Sequence, residues 1–241
     1  MSRLLRNLGK KAFTLIELLV VIAIITVLAG ILLAAFTKTK HTKGPHSLRC
    51  AQHLKLIGSS FRMWAGDNGD RYPQIVPTAE GGASNYITVG SRYDPSKMFW
   101  IFAVMSNELA DPEIVICPSD RLRQEARNFF EVMDSLGNEA ISYFVNVDAD
   151  DTQPNCIMAG DRNLTNNPTL RYEREVLFRW QLMDRMYANL GYSASMHQGS
   201  GNILLGDGSV RSMSGSQVRN QIKDAQVDHR VLFPYVPNKN D

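Results

Sequence analysis

The 241-residue chain, 44% apolar and 21% charged, is long enough for one domain of ordinary size plus an appendage. Its net charge of +2 is unevenly placed: Arg3, Arg6, Lys10 and Lys11 precede the first acid, Glu17, and Lys38, Lys40 and Lys43 follow an apolar stretch, while residues 44–241 hold 19 basic and 23 acidic residues. That acidic remainder excludes the basic face that nucleic-acid binding needs, and three cysteines are too few for a disulfide scaffold and lack metal-site spacing.

From Ala12 to Phe36 only Thr14, Glu17 and Thr26 are polar. A helix of that length reaches about 37 Å, enough to cross a ~30 Å hydrocarbon core, and it lacks the polar face of a core helix. A secretory signal has a shorter apolar run of about 7–15 residues, and Ala34-Ala35 is a weak cleavage site. The positive-inside bias is thin; the free amine of the leader tips it toward a cytoplasmic N-terminus. Glu17 sits one turn inside. A carboxylate in an apolar helix costs about 2.5–3.5 kcal/mol near the bilayer centre and less near the interface, so it either finds a partner or snorkels to the headgroups.

Residues 37–46 are polar and basic and include Gly44-Pro45, where a helix kinks or restarts. Leu48, Ala51, Leu54, Ile57, Phe61 and Trp64 then recur every three or four residues, the apolar stripe of an amphipathic helix that ends near Gly66 and Gly69. A Gly-, Ser- and Thr-rich loop follows to Gly90. A helix is expected over Pro95–Leu109 with Met98, Phe99, Phe102 and Met105 inward, a short buried strand over Ile114–Ile116, and a helix over Asp120–Met133. Strands are expected over Ile141–Val147, which alternates, and over Cys156–Ala159; residues 162–175 read as loop, and Val176–Leu182 fits either state. Gly201–Gly206 and Ser209–Met213 flank Asp207-Gly208, a two-residue hairpin pattern in which both turn residues take φ > 0.

Several residues invite chemistry. His197 and Asp207 could form an acid–base pair or ligate a metal, but one His and one Asp fall short of the three ligands of a catalytic zinc, so an imidazole hydrogen-bonded across the hairpin is the favoured reading, with Asp207 and Gly208 as the turn. Asp67, Asn68 and Asp70 could hold calcium, which wants six to eight oxygens; an ordinary helix-ending turn fits better, and a solvated loop likewise for Asp148, Asp150 and Asp151. In an oxidising compartment one cysteine pair can bridge, and joining Cys50 to Cys117 would tie the first head helix to a strand by closing a long loop, worth about 3–5 kcal/mol. No nucleophile motif, phosphate loop or dinucleotide fingerprint is present, so neither an enzyme nor a cofactor is expected.

The run Lys10-Lys11-Ala12-Phe13-Thr14-Leu15-Ile16-Glu17-Leu18-Leu19 resembles the class III signal of type IV prepilins and type II secretion pseudopilins. The resemblance implies cleavage by a prepilin peptidase between Ala12 and Phe13, N-methylation of Phe13, and a Glu17 that pairs with a neighbouring subunit's Phe13 amine in a filament core. Ala12 departs from the glycine usual before the cut. Arg49 to Gly58, Cys117-Pro118-Ser119 and the His197-x9-Asp207-Gly208 pattern resemble a large group of prepilin-like proteins that share these segments.

The resemblance implies an α+β, pilin-like fold, with a long N-terminal helix packed on a small antiparallel sheet. It divides the chain into a leader (1–12), a transmembrane or filament-core helix (13–36), a kinked juncture (37–46) and a periplasmic head (47–241). The implied partners are prepilin peptidase/methyltransferase, other pilin or pseudopilin subunits and the inner membrane, with no nucleic acid. The implied role is a filament subunit of a type II secretion or type IV pilus-like machine. The alternatives are a membrane-anchored ligand-binding module that uses the helix for export only, and an anchored metal-dependent hydrolase.

Overall fold

The computed structural model describes residues 14–37, 45–149, 152–166 and 175–236. The chain divides into two units, residues 1–42 and 43–241. The first holds helix α1, Leu15–Thr37, whose sequence LIELLVVIAIITVLAGILLAAFT is apolar on every side. Side chains of α1 are described to Ala29, roughly 22 Å of helix from Leu15. Among the described residues no helix is long and apolar enough to cross a membrane. The leader and most of the juncture, with its expected kink, lie outside the described residues.

The second unit opens with α2, Pro45–Asp67, with proline in its first turn, where a missing N–H costs nothing. The chain continues through strands β1 (Thr88–Val89) and β2 (Arg92–Tyr93), helices α3 (Phe99–Ala103), α4 (Ser106–Leu109) and α5 (Phe129–Glu131), and strands β3 (Tyr143–Asn146), β4 (Ile157–Asp161), β5 (Leu164–Thr165) and β6 (Glu175–Phe178). It ends with α6 (Met183–Met186), β7 (Gly191–Tyr192), β8 (Gly201–Leu205), β9 (Val210–Met213), α7 (Gly215–Ala225) and β10 (His229–Leu232). Six strands form one antiparallel sheet in the order β6-β10-β3-β4-β8-β9. The unit is therefore α+β, with α2 on an antiparallel sheet.

The sheet is covered on both faces. On one, Leu54, Ile57 and Phe61 of α2 join Tyr143, Val145, Ala159 and Leu204 in a single apolar cluster. Helix and sheet touch at Gly58, where an added Cβ would stand 2.8 Å from Leu204 Cδ1. On the other, Val218 and Ile222 of α7 and Met183 of α6 cover Phe144, Ile157, Ile203, Leu205 and Val231. Two covered faces explain why residues 141–147 are buried without exception, although their sequence alternates.

Four sequence expectations need correction. Leu48 is 62% exposed, because the buried stripe starts at Cys50, roughly 200° further round the helix. Ile114–Ile116 is no strand: Pro112–Val115 forms a 3-10 turn, since the Asp111 carboxylate accepts from Glu113 N and Pro112 fixes the entry. The Pro95–Leu109 helix is broken into a 3-10 turn, α3 and α4, with Phe99 N donating to Asn138 Oδ1 from another segment. The Asp120–Met133 helix is reduced to α5, which starts at its Asn128 cap and runs into a π turn at Val132–Leu136. Side chains at the start of that segment are drawn into tertiary bonds instead: Asp120 binds Arg162, and Arg123 reaches the carbonyls of Ile141 and Pro234. Helix α7, outside every expected element, is closed by a Ser214–Gln217 capping box.

His229 links β10 to β4 in its neutral form. Its Nδ1 donates to Val227 O at 2.9 Å, and its Nε2 accepts from Ile157 N at 3.0 Å. Burial lowers its pKa from 6.5 to about 4. The unfolded chain therefore binds the extra proton first. This contribution to stability is complete above pH 6.5 and is lost as pH falls through about 4, by roughly 3 kcal/mol in total. Urea denaturation at a series of pH values should show a steeper decline for wild type than for His229→Gln across that window; parallel profiles would rule the mechanism out.

Candidate functional site

At the start of α1, Thr14 and Glu17 form a reciprocal cap. Thr14 N and Oγ1 donate to Glu17 Oε2 at 2.9 and 2.7 Å, and Glu17 N donates to Thr14 Oγ1 at 3.3 Å. This is the Thr-x-x-Glu capping box, which satisfies donors that the first helical turn leaves free. The Glu17 carboxylate is thus held by its own helix end. Ala12 and Phe13 lie outside the described residues.

In the second unit, a buried polar cluster joins segments distant in sequence. Cys50 of α2 and Cys117 form a disulfide, with Cα atoms 5.0 Å apart. His197 Nε2 lies 3.2 Å from Cys117 Sγ and 3.3 Å from Asp161 Oδ2. Asp161, at the end of β4, accepts at Oδ2 from Asn202 N at 2.6 Å and Asn202 Nδ2 at 3.0 Å. The next residue, Arg162, clamps Asp120 with two bonds of 2.5 and 2.7 Å, and Ser142 Oγ donates to Asp120 Oδ2 at 3.0 Å. All of these residues are buried.

Tyr143 is the cross-strand partner of Asp161. Burial pushes its hydroxyl pKa well above 10, and the Asp161 and Asp120 carboxylates add to that; Tyr192 is raised likewise by burial and Asp161. Asp161 Oδ1, Tyr143 Oη, Tyr192 Oη and Asn163 Oδ1 are buried with no hydrogen-bond partner among the described residues. Such atoms are uncommon in folded proteins.

Among the described residues no hydrogen bond or ion pair joins Asp207 to His197; the exposed Asp207 carboxylate accepts from Ser209 N at 2.7 Å. The hairpin turn is also longer than the two residues expected. Gly208 N donates to Leu205 O and Leu205 N to Ser209 O, giving a three-residue loop in which Gly208 has φ 75° and Asp207 a negative φ. This turn is docked on α2: Lys55 Nζ donates to Gly208 O at 2.7 Å, and Arg62 donates to Gly206 O at 2.6 Å. Both ends of the His197-x9-Asp207-Gly208 pattern therefore fasten β8 and β9 to α2, one at the disulfide and one at the turn.

Asn68 Nδ2 donates to Trp64 O, and Asp70, at φ 57°, donates its N–H to Ala65 O, which makes Asp67–Asp70 the end of a helix. Asp148 faces Arg230 at 3.8 Å; Asp150 and Asp151 lie outside the described residues. Among the described residues, the one group of three with metal-ligand geometry is Cys50, Cys117 and His197. Sequence reading picked out His197 and both cysteines but not Asp120, Asp161, Arg162 or Asn202. Single polar residues with no periodic spacing carry no sequence pattern that would have marked them.

Residues 7–33 match the family model of the prokaryotic N-terminal methylation motif. The motif supports a prepilin-type protein and implies a substrate of prepilin peptidase. No curated protein matches the chain, and no solved structure does.

Proposed function

We propose that the chain is a pseudopilin-type subunit. It is held in the inner membrane by the helix from Phe13 to Phe36 with its head in the periplasm. It is cut between Ala12 and Phe13, methylated at Phe13, and drawn into a type II secretion or type IV pilus-like filament. It is not an enzyme. The observation that carries this reading is the methylation motif over residues 7–33, which opens the apolar run of α1. The Thr14–Glu17 cap supports it: Oε2 is held within the first turn, close to residue 13 in sequence, where a neighbouring subunit's amine could meet it. Such a pairing offsets the desolvation of both charges and sets the axial register.

Mass spectrometry of the chain from cells with and without the peptidase tests processing. The expected product begins at Phe13 and carries one methyl group; a chain that still begins at Met1, or is cut near Ala34, overturns the reading. In the same cells Glu17→Val is expected to be cleaved normally yet lost at least ten-fold from the sheared filament fraction. Equal incorporation would refute the pairing, and a processed wild type absent from any filament would favour export of an anchored binding module.

A further inference from the structure

We propose that Cys50, Cys117, His197 and Asp161 form a Zn²⁺ site in the reduced chain, so that a metal and a disulfide are alternative staples of the same joint between α2 and the sheet. The ligating atoms of Cys50, Cys117 and His197 lie within 4.8 Å of one another, and all three residues are buried. Two thiolates, one imidazole and one carboxylate are within the usual zinc ligand set, and zinc takes them as a tetrahedron. With Zn–N and Zn–O near 2.0 Å and Zn–S near 2.3 Å, the edges of that tetrahedron are roughly 3.5 Å for N···S and roughly 3.3 Å for N···O. The structure already has His197 Nε2 at 3.2 Å from Cys117 Sγ and at 3.3 Å from Asp161 Oδ2. Two things have to move: the two sulfurs, once unbonded, part to roughly 3.8 Å, and the Asp161 carboxylate, which stands outside the three-residue ligand group, shifts so that its unpartnered Oδ1 meets the metal.

Asp161 supplies the second, independent observation. Its side chain is fully buried, Oδ2 is anchored by Asn202, and Oδ1 has no partner. A carboxylate oriented by a neighbouring amide and left with a spare oxygen is the arrangement found around bound metals. A cation there would also relieve an otherwise uncompensated buried acceptor.

The chemistry balances. A thiol or phosphine reductant supplies two electrons, and with two protons the S–S bond becomes two thiols. Zn²⁺ then displaces both thiol protons as it binds. An incoming disulfide oxidant, itself reduced to two thiols, takes the two electrons back, restores the Cys50–Cys117 bond and frees the metal.

The test uses the full chain in detergent micelles, reduced with a phosphine under anaerobic conditions and titrated with Co²⁺ and then Zn²⁺. The expected result is one Co²⁺ per chain, with thiolate-to-cobalt charge transfer and the intense visible bands of a tetrahedral site, displaced by one Zn²⁺. The oxidised chain should bind none. Asp161→Asn should weaken binding about 10–100-fold, His197→Asn at least ten-fold, and Cys156→Ser not at all. Zn²⁺ should raise the melting temperature of the reduced wild type but not of Cys50→Ser/Cys117→Ser, a readout that holds even if the reduced chain is partly unfolded. Uptake by the reduced wild type no greater than by that double variant, or an octahedral cobalt spectrum, would overturn the proposal.

Discussion

Arg162→Ala is expected to destabilise the protein by about 3–5 kcal/mol, the usual cost of stranding one member of a buried ion pair. The side chains of Arg162 and Asp120 are 6% and 0% exposed, and the guanidinium meets both carboxylate oxygens. Without it the buried Asp120 charge keeps Ser142 Oγ and Leu122 N as donors among the described residues. Arg162→Lys should lose a large part of the same stability, because an ammonium cannot bond both oxygens in one plane. Asp120→Leu/Arg162→Met should recover most of it, because no charge is then left buried. Urea denaturation of the oxidised full chain gives all three values. A loss below about 1 kcal/mol for Arg162→Ala would mean that the pair is hydrated and contributes as a surface bridge does.

Cys50→Ser/Cys117→Ser is expected to lose about 4 kcal/mol under oxidising conditions, the loop-closure value for a sequence separation of 67 residues. For a chain of this size that lowers the melting temperature by roughly 8–16 °C. The effect acts mainly on the unfolded chain, which the bridge keeps from separating α2 from the segment at Cys117. Melting of wild type with and without reductant, in the presence of a chelator, should reproduce the shift, and the double variant should be indifferent to reductant. If reductant shifts both proteins equally, the bridge is not the cause. The chelator matters: metal held by the reduced wild type would hide part of the loss.

The two sets of bonds lie side by side in the sheet. Asp161, the last residue of β4, faces His197, which in turn meets the disulfide at Cys117, and the next residue, Arg162, faces Asp120. The sheet thus places a disulfide and a buried ion pair at neighbouring points, and both fasten segments that strand pairing alone does not hold.

The features legible from sequence are those made by neighbours along the chain. The stripe from Leu54 to Trp64 faces the core as its spacing requires, and Gly208 takes the positive φ that a turn glycine permits. The Thr14-x-x-Glu17 cap is equally legible, because its hydroxyl and carboxylate lie three residues apart in one helical turn. Ser214-x-x-Gln217 ahead of Val218 and Ile222 was a readable helix start too. The expected helix over Asp120–Met133 failed for the opposite reason: its propensity is real, but the Asp120–Arg162 and Arg123 bonds outweigh the few tenths of a kcal/mol per residue that propensity offers.

What the sequence determined by itself is the methylation motif at residues 7–33, the apolar helix that begins within it and the amphipathic helix after that, because each rests on contacts within one or two helical turns. Only the tertiary structure decided the polar cluster. Arg162 meets Asp120 across 42 residues and His197 meets Cys117 across 80. Such contacts depend on which strands pair and in what register, and on both faces of the sheet being covered, so that these charges have nowhere to go but to each other.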